Sequence, residues 1–125
     1  MPEAPAETLD DVVRRIASAE EFSKTILLVR FADGTTLYER KAADTFVGAL
    51  RKIGLARVEA LGLRSNRLPL VTRKRPDTAY AYGEADGWFV GTHSSTEAKR
   101  RALEDIARRL DVAIEVEVIV TRMGV

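Results

Sequence analysis

Apolar residues recur along the chain with two periods, and each change of period marks a boundary between elements. Leu9, Val12, Val13 and Ile16 fall at i, i+3, i+4 and i+7, the stripe of an amphipathic helix over about 9–20 that opens at Thr8 with Asp11 three residues on. "KTILLVRF" is apolar on both faces and "TLYERK" alternates. Between them Asp33-Gly34 supplies the positive φ that a tight reversal needs, so these are two strands of a hairpin. Phe46, Ala49, Leu50 and Ile53 restore the helical period over about 42–53, with Gly54 placed as a terminator. "RVEALGL" and "LPLVTRK" flank "RSNR" and read as two short strands, the second held to an edge or bulge by Pro69. "TAYAY" and "WFVGT" bracket "GEADG" as another hairpin. Leu103, Ile106, Ala107 and Leu110 predict a helix over about 95–110. In "AIEVEVIV", Ile114, Val116, Val118 and Val120 alternate with Glu115 and Glu117, a strand with one buried and one wet face.

"ADG" occurs at 32–34 and again at 85–87, each time followed by a strand, a helix and a strand. A shift of 53 positions lays Ala49, Leu50 and Ile53 on Ala102, Leu103 and Ile106, with Val58 then corresponding to Ile114. A ββαβ repeat follows as an expectation. The layer rule then gives an α+β fold: one mixed or antiparallel sheet of about six or seven strands, with helices packed mainly on one face. At 125 residues the chain reads as a single domain, 1–125. Residues 1–7 form a frayed lead-in, 8–21 an acidic amphipathic helix and 24–125 the α+β body.

Composition narrows the chemistry. The chain has no cysteine and one histidine, which excludes disulfides and Cys-ligated zinc, so no metal and no cofactor are expected. No apolar run is long enough for a membrane span and the first residues lack the pattern of a secretory signal, so a cytoplasmic protein without membrane contact is expected. Net charge is +1 but unevenly placed, about −4 over 1–21 and +5 over the remainder. Neither glycine-rich nucleotide loops nor a local pair of catalytic carboxylates is present. Taken together, "FADGTTLYERKAADTFVGALRKIG" and "GWFVGTHSSTEAKRRALEDIARRL" have the look of small bacterial domains, and neither a fold nor an activity is carried over from that likeness.

Two stretches could carry chemistry. "RSNRLPLVTRKRP" places Arg64, Arg67, Arg73, Lys74 and Arg75 on one hairpin with no acid between the first and last of them. A cationic flap of this kind neutralises phosphates, and Tyr80, Tyr82 and Trp88 nearby offer stacking surfaces. "THSSTEAKRR" gathers His93, Ser94, Ser95, Lys99 and Arg100 at a helix N-terminus, where free N–H groups can hold an anion. Ser94 with Glu97 three residues later equally fits a capping box. Glu97, Glu104 and Asp105 each stand four residues before an arginine, which leaves Lys99 and Arg100 as the unpaired bases of that helix. A catalytic role for His93 would need an orienting partner and an oxyanion stabiliser that no local motif supplies, so no catalytic residue is assigned. The expectation is a non-enzymatic binding module that contacts nucleic acid through the basic hairpin. A protein-interaction or homodimerising module is the alternative, and a small enzyme or anion-binding domain centred on His93 is another.

Overall fold

A computed structural model describes residues 24–121; the helix expected over 9–20 lies outside them. The first strand, β1 (Lys24–Phe31), turns back into β2 (Thr36–Tyr38). Phe31 N–H donates to Thr35 O, Gly34 N–H donates to Phe31 O, and Gly34 takes a φ of 91° that a side chain would resist. Asp33 Oδ1 accepts from Thr35 N–H at 2.8 Å and braces the turn. Helix α1 (Ala42–Ile53) buries Phe46, Ala49, Leu50 and Ile53, the stripe that its spacing predicts.

A second, shorter helix, α2 (Leu55–Ala60), begins immediately after Gly54. This corrects the strand expected from "RVEALGL". The alternation within those residues is real, but Leu55 just before them pairs with Val58 at helical spacing and both are buried. Gly54, at φ 123°, ends α1 as expected, its N–H donating to Leu50 O, and the same residue is the N-cap of α2.

The remaining strands are short: β3 (Arg64–Ser65), β4 (Leu68–Pro69), β5 (Val71–Thr72), β6 (Tyr82–Ala85) and β7 (Trp88–Gly91). Helix α3 (Thr96–Leu110) and strand β8 (Ile114–Thr121) complete the described chain. "TAYAY" is not a strand: pairing begins only at Tyr82, and the turn is Asp86-Gly87 alone.

The expected single sheet is in fact three antiparallel ones, ordered β2-β1-β8, β3-β4 and β5-β7-β6. Pro69 offers no N–H for continued pairing, and Leu70 breaks away between β4 and β5. Two backbone bonds still stitch the pieces: Leu70 N–H donates to Leu63 O, and Gly91 N–H donates to Leu70 O. Helix α1 meets β1 and β2 and also β6. It comes so close to β6 that a Cβ on Gly83 would stand 3.0 Å from Val47. The ββα order does recur, as β1-β2-α1 and β6-β7-α3, but Val58 lies in a helix where Ile114 opens a strand.

The core lies between these layers. Leu27, Val29 and Phe31 of β1 pack with Phe46, Leu50, Leu103 and Ile106, and with Val71 and Val90 from the small sheet. A phenylalanine as enclosed as Phe46 stabilises by about 3–5 kcal/mol over alanine. Strand β1 is buried on its other face too, at Ile26 and Leu28, where Leu28 pairs with Glu117. The face expected to be wet on β8 is therefore half-buried at Glu117.

Candidate nucleic-acid interface

The β3–β4 hairpin is a two-residue reversal in which Asn66 and Arg67 both adopt positive φ, 53° and 66°. Asparagine tolerates that region. Arginine does so at a cost of roughly 1 kcal/mol, and glycine would be favoured there. Arg64 fastens the tip by donating from Nη1 to Arg67 O at 3.0 Å. Arg73, Lys74 and Arg75 follow on the exposed segment after β5. The Arg73 guanidinium lies 4.3 Å from the centre of the Trp88 ring, a cation–π contact that holds it across the β6–β7 turn. No carboxylate among the described residues pairs with any of these five bases.

The histidine corner meets this hairpin directly. Ser65, on β3, stands 3.2 Å from His93 Nε2, while His93 Nδ1 faces Ala81 O at 3.4 Å. A carbonyl only accepts, so in the neutral ring Nδ1 carries the proton and Nε2 accepts from the Ser65 hydroxyl. Tyr80 stacks on His93 with ring centres 4.6 Å apart, and 47% of its surface remains in water. Tyr82 donates its hydroxyl to Pro69 O at 2.7 Å. Burial pushes its phenol pKa up, and Arg75 close by opposes the rise. A cleft of about 230 Å³ opens beside Ser65, lined also by Phe46, Leu63, Leu70 and Ser94. The Ser65–His93 pair has a carbonyl and not a carboxylate on Nδ1, so it lacks the group that steadies an imidazolium in a catalytic triad.

At the start of α3 the groups are already engaged. The cap is Ser95 and not Ser94: its hydroxyl accepts from Ala98 N–H at 3.0 Å. Glu97 turns to Arg100 instead of back to the cap. That guanidinium holds the Glu97 carboxyl below the usual range, and the Arg100 pKa is raised in return. Arg100 also reaches Glu104 at 2.8 Å, so the base expected to be unpaired is the most heavily paired of the helix. Lys99 is 3% exposed and donates inward to Thr92 O and Ser94 O.

The hairpin bases and His93 are thus brought together through Ser65 and Tyr82, whereas Lys99 and Arg100 are turned to the helix and its cap. Sequence reasoning missed Ser65 as the partner of His93, because 28 residues separate them and no local pattern links them. It also missed two ion pairs that bind the "ADG" turns to the end of α1. Arg51 reaches Asp86 at 2.8 Å, and Lys52 reaches Asp33 at 2.7 Å; the Lys52 bond is the main reason the Asp33 carboxyl titrates far below the usual range. Among the described residues no group of three or more His, Asp or Glu side chains is placed to hold a metal ion, and no helix is long and apolar enough to cross a membrane. No family model, no curated protein and no solved structure matches the chain.

Proposed function

We propose that the protein is a non-enzymatic module that binds nucleic acid, with phosphates held by Arg64, Arg67, Lys74 and Arg75 and a base lying on Tyr80. The observation that carries this reading is that the five bases of 64–75 have no carboxylate partner among the described residues. Every base from 97 to 109 does something else: Lys99 caps carbonyls and the four arginines pair with acids. An arginine retained at a turn position that favours glycine adds to the case, since local strain persists where the side chain serves a purpose. Tyr80, backed by His93, presents an aromatic surface beside the cationic segment, the combination used for single-stranded nucleic acid. Anisotropy of a labelled single-stranded oligonucleotide, titrated with protein between about 50 and 200 mM salt, tests it. Binding that weakens steeply with salt is expected. No binding at the lowest salt would refute the proposal.

A second reading, a homodimer, is favoured by one feature. Among the described strands β8, of eight residues, lies at the edge of its sheet, and Val120 at its end is 58% exposed. Such an edge can add a second copy strand to strand. Light scattering that gives a monomer mass at high concentration would dismiss it.

A further inference from the structure

The cleft beside Ser65 joins the basic hairpin to α3. It measures about 230 Å³, less than the roughly 300–1,000 Å³ of pockets that take drug-sized ligands, and it has room for a single ring system. Its floor is apolar: Phe46 and Leu70 are 0% and 7% exposed, and Leu63 stands beside them with its carbonyl bonded to Leu70 N–H. One wall is the hairpin, through Arg64 and Ser65. The other is α3, where Ala98, Ala102 and Asp105, four and three residues apart, share a helix face. Arg64 and Ala98 are exposed and mark the mouth. Alanine at 98 and 102 leaves the space unfilled. Asp105 is the acid of this lining. Arg108 donates to its Oδ1 and Arg109 to its Oδ2, which fixes the carboxylate and leaves an acceptor site on each oxygen.

We propose, resting on the reading that the hairpin holds nucleic acid, that this cleft takes one nucleobase of the bound strand and selects a base with an exocyclic amino group, cytosine over uracil or thymine. Three features select this occupant. Arg64, at the mouth, is one of the bases assigned to phosphates, so a strand held along the hairpin delivers a base to the opening. The apolar floor takes a ring, as pockets for an unstacked base do, and Ser65 and Ser94 bring hydroxyls to the same lining. The third feature is Asp105. A carboxylate only accepts, and cytosine presents its N4 amino group where uracil and thymine present the O4 carbonyl. Facing that oxygen, the carboxylate gains no donor and meets a second acceptor. The strand is thus held by its charge on the hairpin and read by one base between the hairpin and α3.

Two labelled single strands of equal length, one of deoxycytidine and one of deoxyuridine, isolate that group, since their backbone and ring size are the same. By anisotropy the full chain is expected to bind the deoxycytidine strand about tenfold more tightly. Ala98→Leu puts a good helix former at an exposed position and fills the cleft. It is expected to abolish the preference and to leave the salt slope, set by the hairpin, unchanged. Asp105→Asn supplies an amide that both donates and accepts, and is likewise expected to abolish the preference. Equal affinity of the unaltered protein for the two strands overturns the proposal and leaves binding through the hairpin standing. So does a preference that survives Ala98→Leu or Asp105→Asn, which would place the discriminating contact outside the cleft. Binding of neither strand overturns both the cleft and the reading on which it rests.

Discussion

Residues 64–75 and 97–109 carry five bases each, and the fold treats them oppositely. On α3 the spacing of three and four places Glu97, Glu104 and Asp105 within reach of Arg100, Arg101, Arg108 and Arg109, and the fifth base turns inward. The β3–β4 hairpin and the segment after β5 have no such period, and their bases project without acids. Charge density alone therefore does not tell free bases from paired ones. What separates them is whether the local geometry provides partners, and a helix does so where a hairpin with Asn-Arg at its turn does not.

The sharpest way to break this contrast is to neutralise equal charge in both regions. Arg67→Gln, Lys74→Gln and Arg75→Gln together are expected to weaken oligonucleotide binding about 100-fold. They should also lower the salt slope by about 2–3, close to one for each lost phosphate contact. Arg100→Gln, Arg101→Gln and Arg108→Gln are expected to leave both quantities unchanged. Equal losses from the two triples would mean that only net charge matters and would remove the hairpin from the site.

Much of this contrast was legible in the sequence. The i,i+4 acids of α3 announced a self-paired face, and the run from Arg64 to Arg75 without an acid announced an open one. The capping box failed by one residue, because Ser94 and Ser95 are equivalent by pattern. The backbone decides between them: Ser95, extended at φ −66° and ψ 164°, is the last residue before the helix, and its hydroxyl accepts from Ala98 N–H. The three-sheet split was hidden for a related reason. Pro69 does mark a break in pairing, but whether strands on either side rejoin one sheet depends on contacts such as Gly91 with Leu70, far apart in the chain. α1, α3 and β8 were found by period, since each is long enough for its period to be unambiguous, and β1 by its continuous apolar run beside the Asp33-Gly34 turn.

Lys99 tests the buried side of the comparison. Lys99→Met keeps the length and removes the donor from two carbonyls, at an expected cost of about 2 kcal/mol in chemical denaturation. Burial also holds the ammonium pKa below its ordinary 10.5. Between the lowered folded value and the ordinary unfolded one, the unfolded chain binds more protons, so the contribution of this group to stability rises with pH across that alkaline window. Lys99→Met should abolish the rise. A variant that kept it would show that another group is responsible.

Arg67 sets stability against binding at one position. Arg67→Gly relieves the left-handed backbone and is expected to raise stability by about 1 kcal/mol, while the salt slope of binding falls by about 1. Opposite signs would tie the strain to the ligand. A glycine that stabilised the fold and left binding intact would show that the arginine at the tip is dispensable.

The smallest effect belongs to the far end of α3. Asp105 takes both Arg108 and Arg109, the latter at 2.9 Å, and the two arginine side chains remain 76% and 51% exposed. Pairs so open to water are screened, and each stabilises by about 0.2–0.5 kcal/mol. Arg108→Gln should therefore shift the denaturation midpoint barely beyond error, because Arg109 keeps Asp105 occupied. Arg108→Gln with Arg109→Gln should cost more than twice the single change, since only then does the carboxylate lose both partners and the end of the helix both of its cations. Strict additivity would mean that the shared carboxylate does not couple the two arginines. The indifference to nucleic acid proposed for α3 would then rest on where it lies on the surface and not on its pairing.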